Sequence, residues 1–349
     1  MGSKRRIKVN SIGLSRDDYK GAPTTLCKGC GHNSISSQII AVAYEIGLKP
    51  HEIMKLSGIG CSSKAPTYFM GQSHGFNALH GRMPSVGTGA MMANHHMKAI
   101  GVSGDGDSAS IGMGQFKHVM RRNVRMTYLI ENNGVYGLTK GQFSATADQG
   151  QVIKKIGHNQ LPAEDMCMEA IISGCGFVAR SFSGDAKQVR ELLKAALSYD
   201  GTAMIDIISP CVAFNNHASS TKSFSYGKDH NEPLHDLSWV PVREEIQLEE
   251  GELEAGGTIM APLHDGSFVK LHKLENDYDP TDKLGALHRL EFARQNKEFI
   301  TGLVYFDPTR ARFADVKGLG DTPLCKQGND KMRPSEDKLT SLMSLMADW

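Results

Sequence analysis

The sequence predicts an α/β fold, a doubly wound parallel sheet followed by a C-terminal extension. Two observations carry this. Apolar runs alternate with stretches of helical period from residue 34 to residue 208, and two of the runs end in the hydrophilic turns Gly104-Asp105-Gly106 and Asn132-Asn133. After Val212 the alternation loosens.

Taken in order, a helix is expected over 34–44 with Asn33 as its cap, then a strand over 53–58. A helix over 86–97 leads into the strand 98–103, and a helix over 108–122 into the strand 124–130. A long loop, a helix over 164–172, a strand over 177–180, a helix over 186–198 and a strand over 202–208 complete the alternation. Beyond it, 257–273 reads as strands and 284–296 as a helix. The chain therefore divides into an N-terminal arm (1–23), a main domain (24–216) and an extension (217–349) whose expected role is subunit contact.

Parallel strands joined by a helix bring Asp105 and Asn133 out at one carboxyl edge, where doubly wound folds bind their ligands. A carboxylate, an amide oxygen and a nearby carbonyl such as that of Val135 suit a hard cation like Mg²⁺, with phosphate oxygens completing its shell. Gly106 and Asp107 open the following helix, whose amide dipoles favour an anion. Each half taken alone is an ordinary turn. An EF-hand is excluded because the twelfth loop position would be Phe116, and a Walker loop because no Gly-Lys-Ser/Thr follows.

Seven cysteines scattered through 349 residues do not describe a disulfide scaffold, and with no signal-peptide pattern a reducing cytoplasm is the expected compartment. Cys27 and Cys30 form the one close pair. Cys61 and Cys211 each follow an apolar run, so both are expected at strand ends on the same edge as Asp105. Four thiolates together suit a [4Fe-4S] cluster or structural zinc, and spacing does not choose between them. Cys167 and Cys175 fit core positions.

Composition describes a compact globular chain: 40% apolar, with a formal net charge of +1. No run reaches the length of a membrane span. The basic start Lys4-Arg5-Arg6-Ile7-Lys8 is short and free of aromatic residues, which favours a solvated arm or subunit contact over nucleic acid. The acidic stretch 244–254 balances it.

The Gly-Asp-Gly and Asn-Asn pairing resembles the thiamine diphosphate motif, in which Asp105, Asn133 and the Val135 carbonyl would hold Mg²⁺. Over 24–216 the chain resembles the β subunit of the 2-oxoacid:ferredoxin oxidoreductases, of the 2-oxoglutarate type. The marks are Cys27-Lys28-Gly29-Cys30-Gly31-His32, Gly58-Ile59-Gly60-Cys61-Ser62-Ser63-Lys64, His80-Gly81-Arg82, Gly104-Asp105-Gly106-Asp107, Asn132-Asn133-Gly134-Val135-Tyr136-Gly137-Leu138-Thr139 and Ser209-Pro210-Cys211. Leu26 and Lys28 stand where the family usually has Trp and Pro, which leaves ligation untouched.

The resemblance implies a thiamine diphosphate-binding fold and one [4Fe-4S] cluster on Cys27, Cys30, Cys61 and Cys211. It implies cofactor contacts from Ile59, Gly60, Cys61, Ser62, His80, Gly106, Asp107, Gly137 and Leu138. The basic residues Lys64, Arg82 and Lys140 are candidates for a substrate's distal carboxylate. Pyruvate-specific relatives tend to carry Asn where Leu138 stands, so the pocket points to 2-oxoglutarate. Oxidative decarboxylation to an acyl-CoA is implied, with coenzyme A as co-substrate, ferredoxin as electron acceptor, and carboxylation as the reverse reaction. One sheet uses up the motif-bearing region, so an α subunit is expected to bring the pyrimidine pocket and the activating glutamate, in an αβ or (αβ)₂ complex. The chain alone is expected to be inactive. Neither nucleic acid nor membrane is an expected partner. The rival readings are a thiamine-dependent decarboxylase or synthase subunit with structural cysteines, and a non-catalytic zinc-stabilised assembly subunit. The His95-His96 pair is expected on a helix, in packing.

Overall fold

A computed structural model describes residues 8–153, 156–215, 220–223, 226, 231–233, 258–262, 268–272, 278–296 and 299–347. The basic start, apart from Lys8, and the acidic stretch 244–254 lie outside the described residues.

The alternation read from the sequence becomes α1 (Gly31–Glu45), β1 (Ile53–Ser57), β2 (His74–Asn77), α2 (Met83–Ala93), β3 (Lys98–Gly104), α3 (Met113–Arg122) and β4 (Met126–Asn132). Four two-residue strands follow in the long loop, β5 (Val135–Tyr136), β6 (Gln142–Phe143), β7 (Val152–Ile153) and β8 (Gly157–His158), paired as two hairpins. Then come α4 (Met166–Ile172), β9 (Phe177–Phe182), α5 (Ala186–Ser198) and β10 (Thr202–Ile208). The extension supplies β11 (Asn231–Pro233), β12 (Thr258–Pro262), β13 (Phe268–His272), α6 (Lys283–Asn296), β14 (Phe299–Phe306), α7 (Phe313–Val316), α8 (Asn329–Met332) and α9 (Glu336–Ala347).

One eight-stranded sheet runs in the order β11-β14-β9-β10-β4-β3-β1-β2. Pairing is parallel from β9 to β2, as the helical crossovers require, and β14 joins β9 antiparallel. The central strands β4 and β10 are buried along their whole length, which is why they read as unbroken apolar runs. Helices α1 and α5 cover one face through Ile35, Ile39, Val42, Leu192 and Leu193. The other face is covered by α2, α3, α4 and α6 through Met83, Phe116, Met120, Ile171 and Leu290. Each such fully buried side chain contributes roughly 1.5–3 kcal/mol of transfer free energy.

Four details differ from the sequence reading. Helix α1 starts at Gly31 with Cys30 as its cap residue, because Asn33 is used elsewhere: its Nδ2 donates to the Cys27 carbonyl at 3.1 Å and ties down the cysteine loop. The helix expected over 108–122 splits into a π-helical turn at Gly106–Ile111 and α3, with Gly112 between them. Helix α2 ends at Ala93, where Asn94 leaves helical geometry, so His95 and His96 sit in the following turn and not on a helix. The exposed edge strand β2 carries no apolar alternation and was not predicted.

Candidate functional site

Gly58, Asp105, Asn133 and Ser209 follow four adjacent strands, and register aligns their ends: Ser57 pairs with Val102, Gly104 with Glu131, and Asn132 with Ile208. A narrow cleft opens there, lined by His32, Ile59, Gly60, Cys61, Ser62, Gly104–Asp107, Glu131, Asn133 and Val135–Gly137.

Asp105 is its floor, 1% exposed. Its carboxylate accepts from Asn133 N at 3.3 Å, Gly134 N at 3.0 Å, Thr146 Oγ1 at 2.8 Å and the Ser144 hydroxyl. Burial pushes its pKa up and these donors oppose the shift. Asn133 Oδ1 accepts from Val135 N at 3.1 Å, closing a turn in which Gly134 adopts φ +72°. Gly106 is packed under the Tyr136 ring, where a Cβ would lie 2.4 Å from a ring carbon, and Tyr136 Oη donates to its carbonyl at 2.9 Å. Asp107 faces the other way. Its Oδ1 accepts from Gly81 N at 2.6 Å and its Oδ2 from Ser103 Oγ at 2.7 Å, anchoring the His80-Gly81-Arg82 turn against the cleft.

The carboxylate, amide and carbonyl oxygens of Asp105, Asn133 and Val135 are hard donors that fit Mg²⁺. Asp105 is the charged member of the three. A buried carboxylate whose burial disfavours its charge is a site that a cation stabilises.

Cys61 lines the same cleft, and Cys211 lies beside it. A Cβ at Gly137 would lie 3.5 Å from Cys211 Sγ and 3.7 Å from Cys61 Sγ, so both thiols face one residue of the cleft wall. The Cys30 thiol is pushed up to about 12, chiefly by burial and further by the negative charges of Glu131, Cys211 and Cys61. Burial also raises Cys61, with Cys211, Cys27 and Glu131 adding to the effect and Lys64 opposing it. Each of the four thiols therefore lies within the field of another, and bringing thiolates together costs energy that bound iron offsets. Among the described residues no three His, Cys, Asp or Glu side chains close around one point as a single metal ion requires. Four thiolates are a donor set that suits a [4Fe-4S] cluster or zinc. Cys167 and Cys175 are buried, donating to the Ala179 carbonyl and to the Phe177 and Thr202 carbonyls, and Cys325 is exposed.

The remaining predicted residues divide between the cleft wall and the protein surface. Ile59, Gly60 and Ser62 line the cleft, Lys64 is half-buried beside Cys61, and His80, Arg82, Leu138 and Lys140 are exposed. Lys140 adopts φ +78°, in the turn that closes the β5–β6 hairpin.

Three residues escaped the sequence reading. Ser144 and Thr146 hold Asp105 from a loop with no distinguishing pattern. Glu131, 0% exposed, sits in an otherwise apolar strand and lines the cleft with neither carboxylate oxygen hydrogen-bonded. Burial holds its pKa well above the usual range. Its Oε2 is 3.6 Å from His32 Nδ1, which lies 2.6 Å from Ser209 Oγ and is kept neutral by burial that lowers its pKa to about 4. Of these neighbours, His32 and Ser209 carried a signal, as members of the Cys27–His32 and Ser209–Cys211 motifs.

Residues 58–207 match the family described as the C-terminal thiamine pyrophosphate-binding domain of thiamine pyrophosphate enzymes. The chain is 39% identical over 217 residues to a 2-oxoacid:ferredoxin oxidoreductase subunit beta of Saccharolobus solfataricus, covering 62% of this chain and 70% of that relative. It is 38% identical over 192 residues to the 2-oxoglutarate oxidoreductase subunit KorB of Mycobacterium tuberculosis, covering 54% and 51%. Among solved structures, a 2-oxoglutarate:ferredoxin oxidoreductase from Magnetococcus marinus, with 2-oxoglutarate, coenzyme A and succinyl-CoA bound, superposes with a TM-score of 0.72 at 28% identity, covering 97% of this chain and 99% of that one.

Proposed function

This chain belongs to the β subunits of the 2-oxoacid:ferredoxin oxidoreductases, and we propose that its own cleft supplies the magnesium, diphosphate and iron-sulfur sites for CoA-dependent oxidation of 2-oxoglutarate. Thiamine diphosphate provides the carbanion chemistry that releases CO₂ from a 2-oxoacid, and coenzyme A takes the acyl group. Asp105, Asn133 and the Val135 carbonyl would hold Mg²⁺, and the absence of a side chain at Gly106 lets the Tyr136 ring close over the turn that follows β3. Cys27, Cys30, Cys61 and Cys211 would hold a [4Fe-4S] cluster, which accepts electrons singly and passes them to ferredoxin.

The remaining roles fall to this chain's side chains. Asp107, through Gly81, fixes the turn that carries His80 and Arg82 at the rim. Lys64, Arg82 and Lys140 give the opening a positive side suited to the second carboxylate of 2-oxoglutarate. Leu138, 49% exposed, presents an apolar surface to the substrate's carbon chain. The pyrimidine pocket and its activating glutamate belong to an α subunit, since the single sheet here is occupied by the diphosphate and cysteine motifs. Residues 24–216 form the cofactor domain in this reading, 1–23 an arm and 217–349 an extension toward other subunits. The reverse carboxylation follows with a low-potential donor.

The observation that carries this reading is the position of the Cys61 and Cys211 thiols across from Gly137, in the wall of the cleft floored by Asp105. Anaerobic co-purification with the α subunit tests it. The expected result is a brown complex with about four irons per β chain, bleached by 2-oxoglutarate only when coenzyme A and thiamine diphosphate are present. A colourless complex that binds zinc would reject it.

A further inference from the structure

Thr146 lies between two acceptors that belong to different parts of the molecule. Its hydroxyl oxygen is 2.8 Å from Asp105 Oδ2 and 2.8 Å from Asn132 Oδ1. Both neighbours can only accept in these contacts, because Asn132 turns its Nδ2 the other way, toward Asp206 Oδ1 at 3.0 Å. A threonine hydroxyl has one proton, so it satisfies one of them at a time.

Behind Asn132 the chain of contacts continues through the sheet. Asp206 Oδ2 accepts from Arg180 Nε at 3.0 Å, and Arg180 donates to Asp165 Oδ1 at 2.7 Å. The same Asp165 oxygen caps α4 by accepting from Cys167 N at 2.9 Å and Met168 N at 3.0 Å. Thr146, Asn132, Asp206 and Arg180 are all buried, and Asn132, Asp206, Arg180 and Asp165 also line a cavity on the side away from Asp105.

On the other side, Asp105 is crowded. It accepts from two backbone amides fixed by the Asn133-Gly134 turn and from the Ser144 hydroxyl, in addition to Thr146. A divalent ion and a hydroxyl proton compete for the same carboxylate lone pairs. The amides cannot turn away. The two hydroxyls can: Ser144 Oγ has Thr146 Oγ1 at 3.2 Å, and rotation about one bond aims the Thr146 proton at Asn132 Oδ1, already in range.

We propose that Thr146 is a positioning residue whose hydroxyl turns from Asp105 to Asn132 when a divalent ion binds Asp105, so that metal occupancy completes the polar chain Asn132-Asp206-Arg180-Asp165 and tightens the first turn of α4. The inference rests on Asp105 as a metal ligand. It adds a connection between the cleft and a helix that does not border it.

Hydrogen exchange in the α–β complex tests it, with Mn²⁺ and thiamine diphosphate as the added probes and Mn²⁺ binding followed by electron paramagnetic resonance. In the wild type, amide exchange in residues 166–172 should slow on loading by roughly two- to tenfold, the worth of one completed neutral hydrogen bond. Thr146→Ser keeps the hydroxyl and should keep the response. Thr146→Val keeps the shape and should bind Mn²⁺ without slowing exchange in α4; Thr146→Ala, which adds no bulk, should do the same if the valine variant does not fold. Equal slowing in the hydroxyl-free variants, or none in a wild type that binds Mn²⁺, overturns the proposal. A wild type that binds no Mn²⁺ rejects the metal site itself, and the inference with it.

Discussion

Arg180 and Asp206 face each other as register partners on β9 and β10, with Nε 3.0 Å from Oδ2, in the interior of the sheet. Asp165 shares the guanidinium from the cap of α4. Removing one member of a buried pair leaves a charge without compensation, which costs about 3–5 kcal/mol. Arg180→Met, which leaves both Asp206 and Asp165 without their cation, should therefore lower the denaturant midpoint of the complex sharply, and Asp206→Leu, which leaves Arg180 paired with Asp165, should lower it less. Equal losses in the two variants would show that Asp165 does not compensate the guanidinium.

Asp105→Asn keeps the volume of the side chain but removes the charge that a cation needs. Binding of Mn²⁺ in the presence of thiamine diphosphate should weaken by more than about 100-fold, with 2-oxoacid oxidation falling in parallel. Calorimetric titration of the metal-free complex measures it, and unchanged affinity would remove Asp105 from the ligand set.

The seven cysteines divide cleanly by position. Serine at Cys27, Cys30, Cys61 or Cys211 should lower the iron content of the complex and erase its visible absorption. Serine at Cys325, which is exposed, or at the buried Cys167 and Cys175, which donate to backbone carbonyls, should leave iron bound.

Lys98 opens β3 with its ammonium half-buried and donating to the Leu197 carbonyl. Burial, helped by Arg125 and opposed by Asp200, lowers its pKa from 10.5 to about 8. Between these values the unfolded chain holds a proton that the folded one has released, so stability rises with pH through that window and is lost again as pH falls through 8. Urea midpoints of the wild type should climb relative to Lys98→Met from pH 8 to 10.5. Parallel profiles would refute the assignment.

In the proposed reading Leu138, which is exposed beside the cleft-lining Gly137, meets the substrate's carbon chain. Leu138→Asn should move the kcat/KM ratio toward pyruvate and away from 2-oxoglutarate by about tenfold. No movement would place substrate selection elsewhere, on the basic residues of the rim or on the α subunit.

What the sequence made legible follows from how far each signal reaches. The strands from β1 to β10, apart from β2 and the short loop hairpins, announced themselves because burial on both faces leaves a continuous apolar run, and the turns ending β3 and β4 carried Asp105 and Asn133 in the expected places. The meeting of Cys61 and Cys211 at Gly137 followed from the same edge argument. Ser144 and Thr146 were invisible, since a hydroxyl in a loop has no periodicity and their importance arises only when the loop folds back on Asp105. Glu131 was hidden for the opposite reason, a single acid embedded in an apolar strand whose environment is set by α1 across the sheet. The membership of β14 in the main sheet lies beyond local pattern, because its partner β9 is more than a hundred residues earlier in the chain.

That late strand bears on how the subunit is made. Until Phe299–Phe306 leaves the ribosome, β9 has no neighbour on its outer flank, and a growing chain with an open flank is a template for strands from other molecules. Premature termination before β14 should therefore yield aggregates instead of a smaller working domain, even though every cofactor-binding residue would already have been synthesised.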